Sequence, residues 1–121
     1  MITPISSWKK SLYLAKRVGV ERDINKNQVE VFDTPIELNM NYQPLSEDTR
    51  IEMFGTNSKE IYRAVSVAPY QAFNISEMDR VYLNGKTPTG ETVNGENANF
   101  VVKRVSTQNV LTSYYFESIK G

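Results

Sequence analysis

Apolar and polar residues alternate in short blocks along this chain, and clusters of turn-forming residues separate the blocks. The densest region runs from Glu60 to Asn84. Ile61, Tyr62, Ala64, Val65 and Val67 make a first apolar run and Val81, Tyr82 and Leu83 a second, both rich in the β-branched and aromatic types that favour strands. Pro69 removes a backbone donor between them, and Asn74, Ser76 and Asp79 supply turn chemistry, so the chain is expected to bend there. The remaining elements are expected to pack around this central strand pair.

Upstream, Leu12 and Leu14 alternate with Tyr13 and Ala15. Ser6 or Ser7 offers a helix cap, but no stop follows before Gly19, and a strand suits the polar stretch 21–28 that follows, with Asp23, Asn25 and Asn27 as its turn formers. Val29, Val31 and Phe32 then return as the second arm of a hairpin. After Pro35, the residues Ile36, Leu38 and Met40 alternate with Glu37, Asn39 and Asn41, the period of a half-buried strand. Residues 42–49 read as a loop. Ile51 and Met53 alternate with Arg50 and Glu52 as a further short strand ending near Gly55. Residues 84–99 form the longest stretch without an element, holding three of the six glycines and only Val93 as a large aliphatic residue. A loop of that length in a small domain is commonly functional or disordered. A closing hairpin, 100–105 and 110–119 around 106–109, puts Tyr114 and Phe116 on the face opposite Tyr115. The expected fold is all-β: one domain over 1–121, a small antiparallel β-barrel or sandwich of about seven short strands, with projecting loops at 42–49 and 84–99.

Composition narrows the chemistry. The chain has 121 residues, enough for a single core, with 40% hydrophobic and 23% charged residues, and it has neither cysteine nor histidine. Disulfides, thiol nucleophiles, imidazole bases and the usual zinc ligands are therefore excluded, and no enzymatic activity and no cofactor are expected. No apolar run reaches the roughly 20 residues of a membrane span, and the opening MITPISSWKK lacks a signal-peptide core, so the chain is expected to stay in the cytoplasm of the cell that makes it.

The 14 basic and 14 acidic residues cancel, but unevenly: residues 1–28 hold six basic and two acidic groups, residues 29–60 two basic and seven acidic. Such segregation suits head-to-tail contact between copies of one chain. Other candidate sites are weak. Glu47 and Asp48 with nearby Glu52 read as a solvated acidic face, since neighbours on a loop hold no set carboxylate separation. Gly85, Gly90 and Gly95 with Lys86 and Thr87 lack Walker spacing and a following helix. Trp8, Lys9 and Lys10 suit either a nucleic-acid contact or, preferably, an intersubunit anchor. Of the strand tyrosines Tyr13, Tyr62, Tyr82, Tyr114 and Tyr115, most suit core packing, whereas the adjacent pair must place one ring on each strand face, which makes Tyr115 a further candidate intersubunit contact.

Several phrases occur in an informative order: KKSLYLAKR, a turn of the form DxxxNQVEVF, PIELNMNYQPLS, IYRAV, MDRVYLNG, NANFVVKRV and a closing YYFESI. In that order they resemble the head-tail connector, or head-closure (stopper), proteins of long-tailed bacteriophages, over nearly the whole chain. The resemblance implies a small β-barrel located in the virion neck. There it implies a homo-oligomeric ring of twelve or six copies below the portal and adaptor, with tail terminator and tail tube proteins on the other side. Such a ring retains packaged double-stranded DNA, contacted without sequence preference, and presents a tail-attachment surface; no membrane is involved. Loop length and polarity make Lys86, Thr87, Thr89, Glu91, Asn94 and Glu96 the candidate channel or partner loop, and Gln43, Leu45, Glu47 and Asp48 the second. The alternatives are an OB-like module binding single-stranded nucleic acid and another phage tail-completion protein.

Overall fold

The computed structural model describes residues 10–22, 24–25, 27–55, 59–67, 75–108 and 111–119. Nine strands and one helix occur among them: β1 (Lys10–Ala15), β2 (Arg17–Arg22), β3 (Gln28–Phe32), β4 (Ile36–Met40), β5 (Tyr42–Pro44), α1 (Glu47–Phe54), β6 (Ile61–Val67), β7 (Arg80–Tyr82), β8 (Phe100–Gln108) and β9 (Leu111–Ser118). The protein is all-β apart from that helix. Seven strands form an antiparallel sheet in the order β4-β1-β7-β8-β9-β6-β5, and β2 and β3 form a separate two-stranded sheet.

The sheet's two edges are consecutive in the chain. Only Asn41 separates β4, which pairs with β1, from β5, which pairs with β6. Two chain steps span at most about 7 Å. The sheet must therefore curl until its edges meet in one bent stretch, residues 36–44. Pro44 fits there because an edge residue need not donate to the ladder. Inside the curl, Leu12, Leu14, Leu38, Met40, Tyr42, Val81, Leu83, Phe100, Val102, Tyr114 and Phe116 form one buried cluster.

Two expectations need correction. β6 and β7 both form, yet they are not neighbours: the β8–β9 hairpin lies between them. That hairpin pairs with both, through a long ladder of Ile61 to Val67 against β9 and a short one of Arg80–Val81 against Phe100–Val101. The region 42–55 is a short strand and a helix, not a loop and a strand. Ser46 caps the helix by accepting from Thr49 N, Glu47 and Asp48 lie in its first turn, and Gly55, at φ 71°, ends it by donating to Ile51 O. The alternation of Ile51 and Met53 was too short to outweigh two caps that bracket eight residues.

The outer surface of the curled sheet carries two apolar patches, and each is covered. On β9, Tyr115 points away from the core as alternation requires, but α1 lies over it. Phe54 meets its ring edge-on at 5.5 Å, and the Arg104 guanidinium stands 4.7 Å from the Phe54 ring. Tyr115 is buried, so its assignment as an exposed intersubunit contact is corrected. On β1 and β7, Tyr13, Ala15 and Tyr82 face outward and pack with Phe32 and Ala98. Burying both faces of β1 is possible because its period of two sends Leu12 and Leu14 to the other side.

β1 to β4 is a single long ribbon broken at one corner. β1 pairs with β4, then past Lys16 the same two chain segments pair as β2 with β3, and Asp33 N donates to Lys16 O at 2.8 Å across the break. Asp79 holds this corner from the start of β7. Its buried carboxylate accepts Arg17 N at 2.8 Å, Ser76 N at 2.9 Å and Lys16 Nζ at 3.2 Å. Replacing Asp79 with alanine strands two backbone donors and is expected to cost roughly 3–5 kcal/mol in urea unfolding, against less than about 1 kcal/mol for Lys16→Ala, whose ammonium is partly solvated. Equal, small losses for both variants would show that the carboxylate is not the anchor.

Candidate functional site

The distal ribbon, β2 with β3, extends beyond the sheet as an arm. Among the described residues neither strand has a second neighbour. Val18, Val20 and Val29 are exposed on it, and Ile24 in its turn is 95% exposed. The arm's root is fastened to the body. Arg17 Nε and Arg80 bracket the Glu30 carboxylate at 3.2 and 3.5 Å, and the Arg80 guanidinium lies 5.0 Å from the Phe32 ring.

Residues 84–99 buttress that root. The stretch contains neither strand nor helix, as expected, but its middle folds back over the outer face of β1 and β7 and does not project. The polar sequence accomplishes this through successive tight turns, with Lys86 N, Glu91 N, Glu96 N and Ala98 N each donating to a carbonyl three residues earlier. Its neck is closed by Asn99, whose side-chain amide both accepts from Leu83 N (2.9 Å) and donates to Leu83 O (3.1 Å), in the manner of a strand neighbour.

The central contact is between Tyr82 and Glu91. The Tyr82 hydroxyl lies 2.9 and 2.8 Å from the two Glu91 oxygens and accepts from Gly95 N at 3.0 Å, while Asn97 N donates to Glu91 at 2.9 Å. Burial, and secondarily the adjacent carboxylate, push the Tyr82 hydroxyl well above its ordinary value of 10, so it remains a proton donor to Glu91. Gly95 is required on two counts: its φ is 86°, and a Cβ would sit 3.0 Å from the Phe32 ring. Asn94 completes the joint by donating to Phe32 O at 3.2 Å.

The candidate residues therefore divide. Glu91 and Asn94 are structural ties, and Glu96 is exposed but turns back to accept from Thr92 N and Val93 N at 3.1 and 3.2 Å. Lys86, Thr87 and Thr89 remain at the surface. Of the second group, Gln43 is exposed on β5, Leu45 N donates to Ile61 O, and Glu47 and Asp48 belong to the first turn of α1. Lys10 donates to Tyr42 O at 3.1 Å over the Tyr42 ring. Trp8 and Lys9 lie outside the described residues. Gly85, Gly90 and Gly95 all take positive φ in turns and form no cradle. No group of three acidic residues placed to hold a metal ion occurs among the described residues.

Between arm and buttress lies a groove of about 340 Å³, with Val29, Val31, Phe32 and Val93 as its apolar lining and Glu21, Arg22, Glu30 and Asn94 as its polar residues. Sequence reasoning found the hairpin but not this surface. The β-branched runs and turn formers around 17–32 mark strands, whereas their separation from the main sheet depends on the corner at Lys16. Compared with protein-family models and with curated proteins, the chain matches none of them.

Two outcomes test the buttress. Tyr82→Phe removes a hydrogen bond to a charged acceptor and is expected to cost about 1.5–3 kcal/mol, with faster amide exchange at Gly95 and Asn97. An unchanged exchange pattern would remove Tyr82 from this role. The amides of Thr92 and Val93 hold the Glu96 carboxyl below its ordinary 4.5. That turn is therefore stabilised by the charged form above pH 4.5 and loses the contribution as pH falls through the lowered value. Exchange at Thr92 and Val93, corrected for intrinsic rates, should accelerate below that range in the parent chain, and Glu96→Gln should show the acid-range rates at neutral pH.

Proposed function

We propose that this chain is a structural subunit of the bacteriophage neck, a head-closure connector that assembles as a ring below the portal and adaptor, retains packaged DNA and offers the tail its attachment surface. The observation that carries the reading is the two-stranded arm. An isolated hairpin is marginal in water, and one with exposed valines and an exposed isoleucine at its turn suits a protein completed by neighbours. The order of strand phrases adds the resemblance to connector proteins, and the all-β curled sheet is compatible with it.

Charge is consistent with the same role. A wall past which DNA slides must not gather phosphate contacts, because each adds affinity and salt dependence. The exposed part of the buttress has Lys86 as its one basic residue, with Glu91 engaged internally and Glu96 beside the groove. An OB-like module would instead display aromatic rings for base stacking, and among the described tyrosines Tyr42, Tyr82, Tyr114 and Tyr115 are buried and Tyr13 and Tyr62 are half-buried against other rings.

Particles assembled without this chain are expected to fill with DNA, then lose it and fail to join tails, and purified chain added to such heads should restore tail joining. Electron microscopy and nuclease-resistant DNA yield read both effects. Normal yields of tailed, DNA-filled particles in its absence would overturn the proposal.

A further inference from the structure

Past the cover of α1, the outer face of the sheet opens into a trough of about 400 Å³ on β6 and the distal half of the β8–β9 hairpin. Strand register brings its residues together. Arg63 of β6 lies opposite Tyr115 of β9, and toward the hairpin turn Ser113 faces Ser106, then Leu111 faces Gln108. A period of two sends all of them to the side away from the core. Met53 of α1 and the 44%-exposed Leu111 join the Tyr115 ring as the apolar part of the lining.

The trough holds a cation and no anion. Arg63 Nη2 donates to Ser113 Oγ at 3.1 Å, which turns the guanidinium over the trough. None of the lining residues is acidic, and Arg63 forms no ion pair among the described residues, outside which Asp23 is the one acidic residue. Glu117, on the same strand face, is flanked instead by Lys59 and Lys103, each at 3.9 Å. Arg104, opposite Tyr115 on the other side, is held over the Phe54 ring and does not line the trough. The Ser106 hydroxyl and the Gln108 amide add donors across β9 from Arg63.

We infer that this trough is a binding site for a carboxylate carried on an apolar body. A guanidinium presents paired N–H groups that match the two oxygens of a carboxylate, and neighbouring hydroxyl and amide donors add to the contact. One lining cation meets the charge of a monoanion. A phosphate monoester, with a charge of about −1.5 to −2 at neutral pH, is left partly unmatched. Met53, Leu111 and the Tyr115 ring receive the apolar body, and the volume falls within the roughly 300–1,000 Å³ of small-ligand sites. Two sources carry this chemistry, a small carboxylic acid and the free carboxy terminus of a protein chain that ends in an apolar residue.

Hexanoate titrated into the isotope-labelled full chain at neutral pH is the first probe, and hexanamide, of the same shape without the charge, is its control. Saturable nuclear magnetic resonance shifts are expected at Arg63 Nε–H and at the amides of Ser106, Ser113 and Leu111, with hexanamide and methyl phosphate at least about tenfold weaker. Arg63→Gln alters an exposed side chain and should weaken hexanoate about tenfold to a hundredfold, with amide shifts elsewhere unchanged. Arg63→Lys keeps the charge without the fork and should recover only part of the binding. A short peptide ending in leucine, with its carboxy terminus free or amidated, separates the sources. Tighter binding of the free form than of hexanoate assigns the site to chain termini, and weaker binding assigns it to small acids. Equal shifts from hexanoate and hexanamide, undiminished binding to Arg63→Gln, or tighter binding of methyl phosphate would overturn the carboxylate site. Tail joining is read separately, so each of these outcomes leaves the neck role untouched.

Discussion

The fold turns on one buried carboxylate. Asp79 takes backbone donors from Arg17 and Ser76 and an ammonium from Lys16, and its own carbonyl accepts Val102 N at 2.8 Å. Three chain segments thus meet at one residue: the corner of the β1–β4 ribbon, the entry to β7 and the strand β8. A carboxylate buried to this degree is tolerable only with its oxygens satisfied, so the corner is defined sharply. Were the ribbon to run straight, Arg17 N would be lost to the carboxylate, and the arm would have no fixed direction relative to the body.

From that corner the remaining architecture follows by covering apolar surface. Curling the sheet until β4 and β5 become one bent stretch leaves edges only five and three residues long, which limits the unpaired backbone groups they expose. The two apolar patches left outside are closed by the elements nearest in sequence to free chain: α1 over Tyr115, and the stretch 84–99 over Tyr13, Ala15 and Tyr82. A loop that appears only polar in composition is held by one tyrosine–glutamate contact and by a glycine that lets its backbone approach Phe32.

This division has a functional consequence. Most of the polar loop is committed to bracing the arm, and among the described residues the arm has no further strand beside it. In an assembly built from copies of one chain, such a braced protrusion transmits position from one subunit to the next more faithfully than a free loop, because its root is packed on both sides.

The alternation of apolar residues was sufficient for the strands at 10–15, 28–32, 36–40, 61–67, 80–82 and the closing hairpin, and for the opposite placement of Tyr114 and Tyr115, since a period of two is a local property. The helix is also legible, in the caps Ser46 and Gly55, which fix it more firmly than the four alternating residues Arg50 to Met53 suggest a strand. Strand neighbours, the burial of Tyr115, the packing of Glu91 under Tyr82 and the freedom of the arm were not legible. Each depends on which distant segment covers a given face, and a strand's pattern states only that a face is apolar. By itself the sequence determined an all-β chain and where its elements lie. Tertiary structure alone decided that β8 and β9 separate the two central strands, and that 84–99 is a brace while 17–32 is the protruding part, because long-range contacts such as those of Asp79 set the path of the chain between elements.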